Sequence, residues 1–226
     1  MVKYQRIPFR SQKMPDYTLG EEIFNMVSHI VGGAFGVVAL VLTVVFSALR
    51  GDVWSVVASA IYGGSMIALY TVSSVYHGLR VNMGKRVMQV IDHCTIYLLI
   101  AGTYTPILLT AIRREDPVTA WVLFGVEWGF AALGATLNAI DLKKYSKFSM
   151  LCYIGMGWGI VFAAKTAIAA IPFAGLMYLL LGGIAYTIGA VIYAVGKKHR
   201  YAHSVFHLFV VLGSLLQFFS ILFWII

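Results

Sequence analysis

The sequence predicts an all-α polytopic membrane protein, a seven-transmembrane-helix bundle, on three observations. Of its 226 residues 60% are hydrophobic and only 12% are charged, which is far from the balance of a soluble domain. The apolar residues form seven runs, each able to supply the roughly 20 helical residues that cross about 30 Å of hydrocarbon. None of the runs shows the alternation of a barrel strand, and unpaired backbone amides are costly in lipid, so the spans are helices.

The first run, Met26 to Leu49, follows a polar entry in which Glu22, Asn25 and His29 recur at helical spacing. The second, Val53 to Leu79, ends on Ser73-x-x-x-His77. The third, Val87 to Ile112, carries Asp92 near its start and Pro106 within it; the missing proline amide frees a carbonyl one turn earlier and predicts a kink. The fourth, Val118 to Ile140, holds Glu127, and the fifth, Ser149 to Ala170, holds Lys165. These two read as structural, either as an interhelical pair or facing a wet cavity. The sixth is Phe173 to Val195, and the seventh, His203 to Ile226, opens on His203-x-x-x-His207.

Glycines within the spans (Gly32, Gly33 and Gly36; Gly63 and Gly64; Gly155, Gly157 and Gly159; Gly182, Gly183 and Gly189) read as points of close helix approach. Cys94 and Cys152 lack C-x-x-C spacing and read as buried thiols. Short loops predict one domain over residues 1–226, of which 1–20 form a short cytoplasmic segment. That segment is polar and basic with no apolar h-region, so the first span is expected to act as the insertion signal.

A formal charge of +8 in a soluble protein would raise nucleic acid as a partner, but its distribution here points to topology instead. Lys3, Arg6, Arg10, Lys13, Arg80, Lys85, Arg86, Lys143, Lys144, Lys147, Lys197, Lys198 and Arg200 fall on one side, against Arg50, Arg113 and Arg114 on the other. Thirteen against three predicts a cytoplasmic N-terminus and an outside C-terminus in a multi-pass cell-membrane protein. The expected partners are membrane lipids, with no nucleic acid.

Ionisable groups inside a span cost a few kcal/mol, so each marks a candidate site. His203 and His207 lie one turn apart, about 6 Å along the axis on a shared face. By the topology above, His77 ends the second span and Asp92 starts the third at that same membrane face. Three imidazoles and a carboxylate at one depth have the chemistry of a zinc site. Asp92 has an alternative, pairing with Arg80, Lys85 or Arg86. His29 is expected to hydrogen-bond rather than ligate; His93 points about 100° away from Asp92 on a helix, and His199 lies in a solvated basic loop.

The four motifs together, Glu22-x-x-Asn25-x-x-x-His29, Ser73-x-x-x-His77, Asp92 leading to Gly102-Thr103-Tyr104-Thr105-Pro106, and His203-x-x-x-His207, resemble the progestin and adipoQ receptor (PAQR) family. The small size and the wording Glu21-Glu22-Ile23-x-Asn25-x-x-Ser28-His29 are most similar to its bacterial hemolysin III branch. The resemblance covers nearly all of the chain from Leu19 onward. It implies a seven-helix bundle with zinc near the cytoplasmic face, ligated by His77, His203 and His207 and linked to Asp92 through water. Ser73 would sit beside the ligands or polarise a carbonyl, with Glu22, Asn25 and His29 behind them. The wider superfamily includes alkaline ceramidases. The chain departs from the eukaryotic receptors in lacking an extended cytoplasmic N-terminal domain and a C-terminal tail.

The expected function is a zinc-dependent hydrolase of lipid amides or esters, or a factor in membrane lipid homeostasis, with Asp92 and Ser73 catalytic. Two rivals share the same residues: a lipid or membrane-state sensor with structural zinc, and a pore-forming cytolysin. A transporter fits less well, because neither inverted repeats nor a ring of intramembrane charges is visible.

Overall fold

The computed structural model describes residues 11, 13–196 and 199–226. Seven helices long and apolar enough to cross a membrane follow in order: α1 (Leu19–Arg50), α2 (Val53–Gly78), α3 (Met83–Glu115), α4 (Pro117–Asp141), α5 (Ser146–Ala170), α6 (Phe173–Val195) and α7 (Ala202–Ile225). Among the described residues there is no strand. Of the basic residues used for topology, Lys3, Arg6, Arg10, Lys197 and Lys198 lie outside the described residues.

Local chemistry sets most of the helix starts. Thr18 caps α1 in a capping box with Glu21: its hydroxyl accepts from the Glu21 amide at 3.2 Å, and the Glu21 carboxylate accepts from the Thr18 amide at 2.8 Å. Asp52 caps α2 by accepting from the Ser55 amide, Asn82 caps α3 at the Lys85 amide, and Asp116 caps α4 ahead of Pro117. The start of α7 is different, because Tyr201 adopts left-handed backbone with φ 60°. There the Tyr201 amide donates to Glu21 Oε1 at 2.7 Å, tying the entry of α7 to the first turn of α1.

The helices are turned inside out relative to a soluble bundle. In α1 the buried stripe is Glu21, Asn25, His29, Gly32, Gly36, Ala39, Thr43 and Ser47, at spacings of three and four, while Val27, Val31, Val38, Val41 and Val45 are exposed. Lipid solvates the valines, so packing goes to the small and polar residues. α1 lies along α2 and α7, α2 along α3, α3 along α4, and α6 along α7, with α3 the most enclosed. The apolar core runs through Tyr62, Met66, Leu69, Leu108, Ile112 and Ile221.

The glycine expectation holds at some positions and fails at others. A Cβ on Gly63 would meet the Leu40 backbone at 2.5 Å, so α1 and α2 touch through their backbones there, and one on Gly32 would meet the Tyr70 ring at 2.6 Å. Gly64, Gly155, Gly157 and Gly183, by contrast, face open space. The small size of these four serves no helix contact.

Two spans depart from a plain α-helix. Pro106 neither ends nor simply bends α3; residues Ile107–Ile112 take π-helical form and spread the disturbance over the next turn. α5 is broken, with 3-10 geometry over Gly159–Ala163 between two α-helical segments. The Tyr104 hydroxyl mends the break, accepting from the Ile160 amide at 2.9 Å and donating to the Gly157 carbonyl at 3.0 Å. Gly159 lies where a Cβ would collide with Glu127 Oε1. Glu127 is buried and Lys165 exposed, and no ion pair joins them.

Candidate metal centre

His77 occupies the last turn of α2, and its Nδ1 lies 2.6 Å from Glu22 Oε2 on α1. A carboxylate only accepts, so Nδ1 carries the proton and Nε2 keeps its lone pair. That Nε2 is buried with no hydrogen-bond partner. Glu22 is held in turn by Lys85 of α3, whose ammonium sits 2.7 Å from Oε1 and also donates to the Leu79 carbonyl at 2.9 Å. Lys85 is 97% buried, being only 3% exposed, and it lies 4.9 Å above the Tyr76 ring.

His203 and His207 are one turn apart on α7, their Nε2 atoms 3.0 Å from each other. Both Nδ1 atoms are buried without a partner. One nitrogen from each of His77, His203 and His207 can be chosen so that all lie within 4.8 Å of one another. Two nitrogens on one tetrahedral zinc at 2.0–2.1 Å stand about 3.3 Å apart, so the His203–His207 spacing suits a shared cation. The fit is therefore good: three imidazoles converge from two helices, His77 and His207 buried and His203 half-buried.

The rest of the predicted set surrounds this trio. His29 stacks on His207 with ring centroids 3.7 Å apart and meets Tyr70 edge-on at 5.0 Å. Neither His29 nitrogen nor either Asn25 amide atom has a hydrogen-bond partner among the described residues, although both residues are buried. Ser73 lies one turn before His77 on α2, and Asp92 is in the third turn of α3. Both are buried. Lys85 pairs with Glu22, and Asp92 Oδ2 lies 3.9 Å from His93 Nδ1.

Ser73, Asp92, His29, His203 and His207 share one cavity of about 590 Å³. Its other walls are mostly apolar, with Leu69, Ile96, Ile100, Ile107, Val161, Ala164, Phe173, Met177 and Leu180 from α2, α3, α5 and α6, interrupted by polar side chains such as Thr103, Thr187 and Gln217. From Asp92 to Ile107 the α3 wall rises about 22 Å, longer than the roughly 15 Å hydrocarbon of one leaflet. A polar floor under a tall apolar shaft suits a molecule with one reactive head and a long tail.

Three features escaped the sequence reading. Tyr17 lies over the cluster, stacked on His203 at 5.0 Å and tilted against His77 at 5.8 Å. Burial, with Tyr193, Glu22 and Asp92 nearby, pushes its phenol above the ordinary tyrosine range, so it stays a neutral hydroxyl. Lys85, counted only as a loop charge, braces Glu22; a cation in the first turn of a helix opposes the macrodipole, and that anomaly was the available signal. His93, expected to point away, lines the same cavity as Asp92. His199 is exposed in the loop before α7.

Comparison with known proteins covers nearly the whole chain. Residues 17–218 match the family described as haemolysin-III related. A hemolysin-3 homolog of Bacillus subtilis (strain 168) is 36% identical over 208 residues, 92% of this chain and 96% of that protein. Hemolysin-3 of Bacillus cereus is also 36% identical, over 91% of this chain and 92% of its own length. The human monocyte to macrophage differentiation factor is 28% identical over 96% of this chain and 88% of its own length.

Proposed function

The chain belongs to the haemolysin-III related family of multi-pass cell-membrane proteins, and from that premise we propose that it is a zinc-dependent hydrolase of lipid amides or esters. One observation supports the reading: Asp92, Ser73 and two members of the histidine trio, His203 and His207, line the polar end of a tall, mostly apolar cavity, with His77 beside those two histidines. A site that only ties helices together needs no such cavity.

Held by His77, His203 and His207, zinc would supply Lewis-acid polarisation of a carbonyl and a water acidified towards neutral pH. The other tasks fall to the chain itself. The carboxylate of Asp92 accepts the proton of the attacking water and returns it to the leaving nitrogen or oxygen. The Ser73 hydroxyl donates to the carbonyl oxygen as negative charge develops there. Glu22, braced by Lys85, holds His77 in the tautomer whose Nε2 faces the other two histidines. The apolar shaft buries the acyl chain and excludes bulk water. The site is taken to open towards the cytoplasm, on the strength of the Lys and Arg distribution.

The test is metal analysis of detergent-purified protein followed by mass spectrometry of lipids incubated with it. About one zinc per chain is expected, with release of free fatty acid; Asp92→Asn should keep the metal and lower turnover at least about 100-fold. Zinc-loaded protein that cleaves no lipid amide or ester sinks the enzyme reading. It would favour the second reading, a lipid sensor, which the bridging of α2 and α7 by the histidines also supports.

A further inference from the structure

His93 is a polar residue of the cavity, next in sequence to Asp92, to which the proposed mechanism gives no task. Its Nδ1 lies 2.8 Å from the Gln89 carbonyl one turn earlier on α3. A carbonyl cannot donate, so Nδ1 bears the hydrogen, and the neutral ring keeps its lone pair on Nε2, at the edge directed away from its own helix. The residue lines the cavity next to Asp92, and its side chain is 21% exposed.

The backbone under His93 is held from a different helix. The Tyr153 hydroxyl of α5 donates to the His93 carbonyl at 2.8 Å, and Tyr153 accepts from Asn138 Nδ2 of α4 at 3.2 Å. Asn138 Oδ1 in turn accepts from the Ser149 hydroxyl at 2.6 Å. This chain of hydrogen bonds holds the backbone that carries the ring, and the Gln89 carbonyl fixes which nitrogen is free. A fixed acceptor one residue from Asp92 is placed to read a donor one or two bonds from the reacting carbonyl.

We propose that His93 is the specificity-determining residue of the cavity, its Nε2 accepting a hydrogen bond from the N–H of a lipid amide whose carbonyl lies at the histidine trio. The inference rests on the reading above that a lipid carbonyl reaches that end of the cavity. An ester carries no hydrogen at the corresponding atom. It leaves the His93 acceptor unmatched and turns its own oxygen lone pairs towards it. Sites built to hydrogen-bond a donor reject analogues that lack it, because a buried acceptor is then left unpaired.

Two ligands isolate that hydrogen: N-palmitoylethanolamine and 2-hydroxyethyl palmitate, which differ only in N–H against O. Binding of each to the full-length, zinc-loaded protein in nanodiscs is measured by equilibrium dialysis, with intact ligand and products counted separately by mass spectrometry. The wild type is expected to hold the amide about 10-fold more tightly, the factor that a difference of 1.4 kcal/mol produces. His93→Asn has no acceptor at the Nε2 position, and the ratio should fall to near one. His93→Gln places an amide oxygen near that position and should restore most of the preference.

A wild-type ratio near one overturns the inference without any variant. An unchanged ratio in His93→Asn also overturns it, as does equal loss in both variants, which is what a packing role predicts. Selective binding of the amide without cleavage would defeat the hydrolase reading and leave the role of His93 standing. Cleavage of both ligands with no preference would do the reverse.

Discussion

Where α2 begins, Asp52 accepts from the Ser55 amide and hydroxyl at 2.9 Å and pairs with Arg113 at the end of α3, whose guanidinium lies 5.5 Å from the Trp54 ring. Nearby, the Ser47 and Ser59 hydroxyls meet at 2.8 Å between α1 and α2, and Ser220 donates to the Gly175 carbonyl. Where α2 finishes, the buried groups are arranged differently. His77 Nε2, both His29 nitrogens, His203 Nδ1, His207 Nδ1 and both Asn25 amide atoms have no partner among the described residues. Each buried unpaired polar group costs about 1–3 kcal/mol, so a fold keeps several together only where a ligand or function compensates. Towards the first end the unpartnered buried atoms are scattered, as at Thr110 Oγ1 and Glu127 Oε2; at the other they gather around three histidines that could hold a metal ion.

The largest test of that contrast is His207→Ala. Zinc content measured by mass spectrometry should fall from about one per chain to near zero, while Asp52→Ala leaves it unchanged. Equal metal in both variants would erase the distinction between the ends. Lys85→Met comes next, since it strands the Glu22 carboxylate beside His77. Zinc affinity by competition with a chelator should weaken about 10- to 100-fold, the usual effect of removing an outer-shell partner. Unaltered affinity would mean that the Glu22–Lys85 pair is packing rather than support.

The smallest effect belongs to the far end and reads out as pH-dependent stability. Burial raises the Asp52 carboxyl, but the Ser55 amide and hydroxyl and the Arg113 guanidinium outweigh it, and the net shift is downward. A carboxyl depressed on folding stabilises above its unfolded value of about 3.9, and the benefit disappears as pH falls through the lower folded value. Asp52→Asn keeps the helix cap and removes the charge. In thermal melts it should therefore lie slightly below the wild type at pH 7, by under about 1 kcal/mol for so exposed a pair. The two should converge on acidification below pH 4. A gap that persisted at low pH would place the effect in the cap, not in the ion pair.

Much of this architecture was legible in the residues. Seven spans were expected and seven are present, because hydropathy is a one-dimensional quantity and a bilayer forces helices. His77, His203 and His207 were expected at one depth because loop charges orient the spans and helical rise converts position into depth. What failed was angular and local. His93 was set aside on a 100° rotation from Asp92, yet the cavity is wide enough to take in both faces of α3. Gly155 and Gly157 read as packing contacts but precede a break in α5, which depends on a tyrosine 53 residues earlier, Tyr104, capturing the Gly157 carbonyl. No local pattern announces that partner.

By itself, then, the sequence determined the number of spans and their order, since hydrophobic length acts residue by residue along the chain; the polar first turn of α1, which begins at Leu19 rather than Met26, does not register in it. Only the tertiary structure decided that Glu22 fixes the His77 tautomer, that Lys85 braces Glu22, that Tyr17 covers the trio and that Asp92, Ser73 and His93 share a cavity. Those outcomes depend on which faces of non-adjacent helices meet. That choice is made by close approaches such as Gly63 against Leu40 and Gly32 against Tyr70, where a single Cβ would push the helices apart.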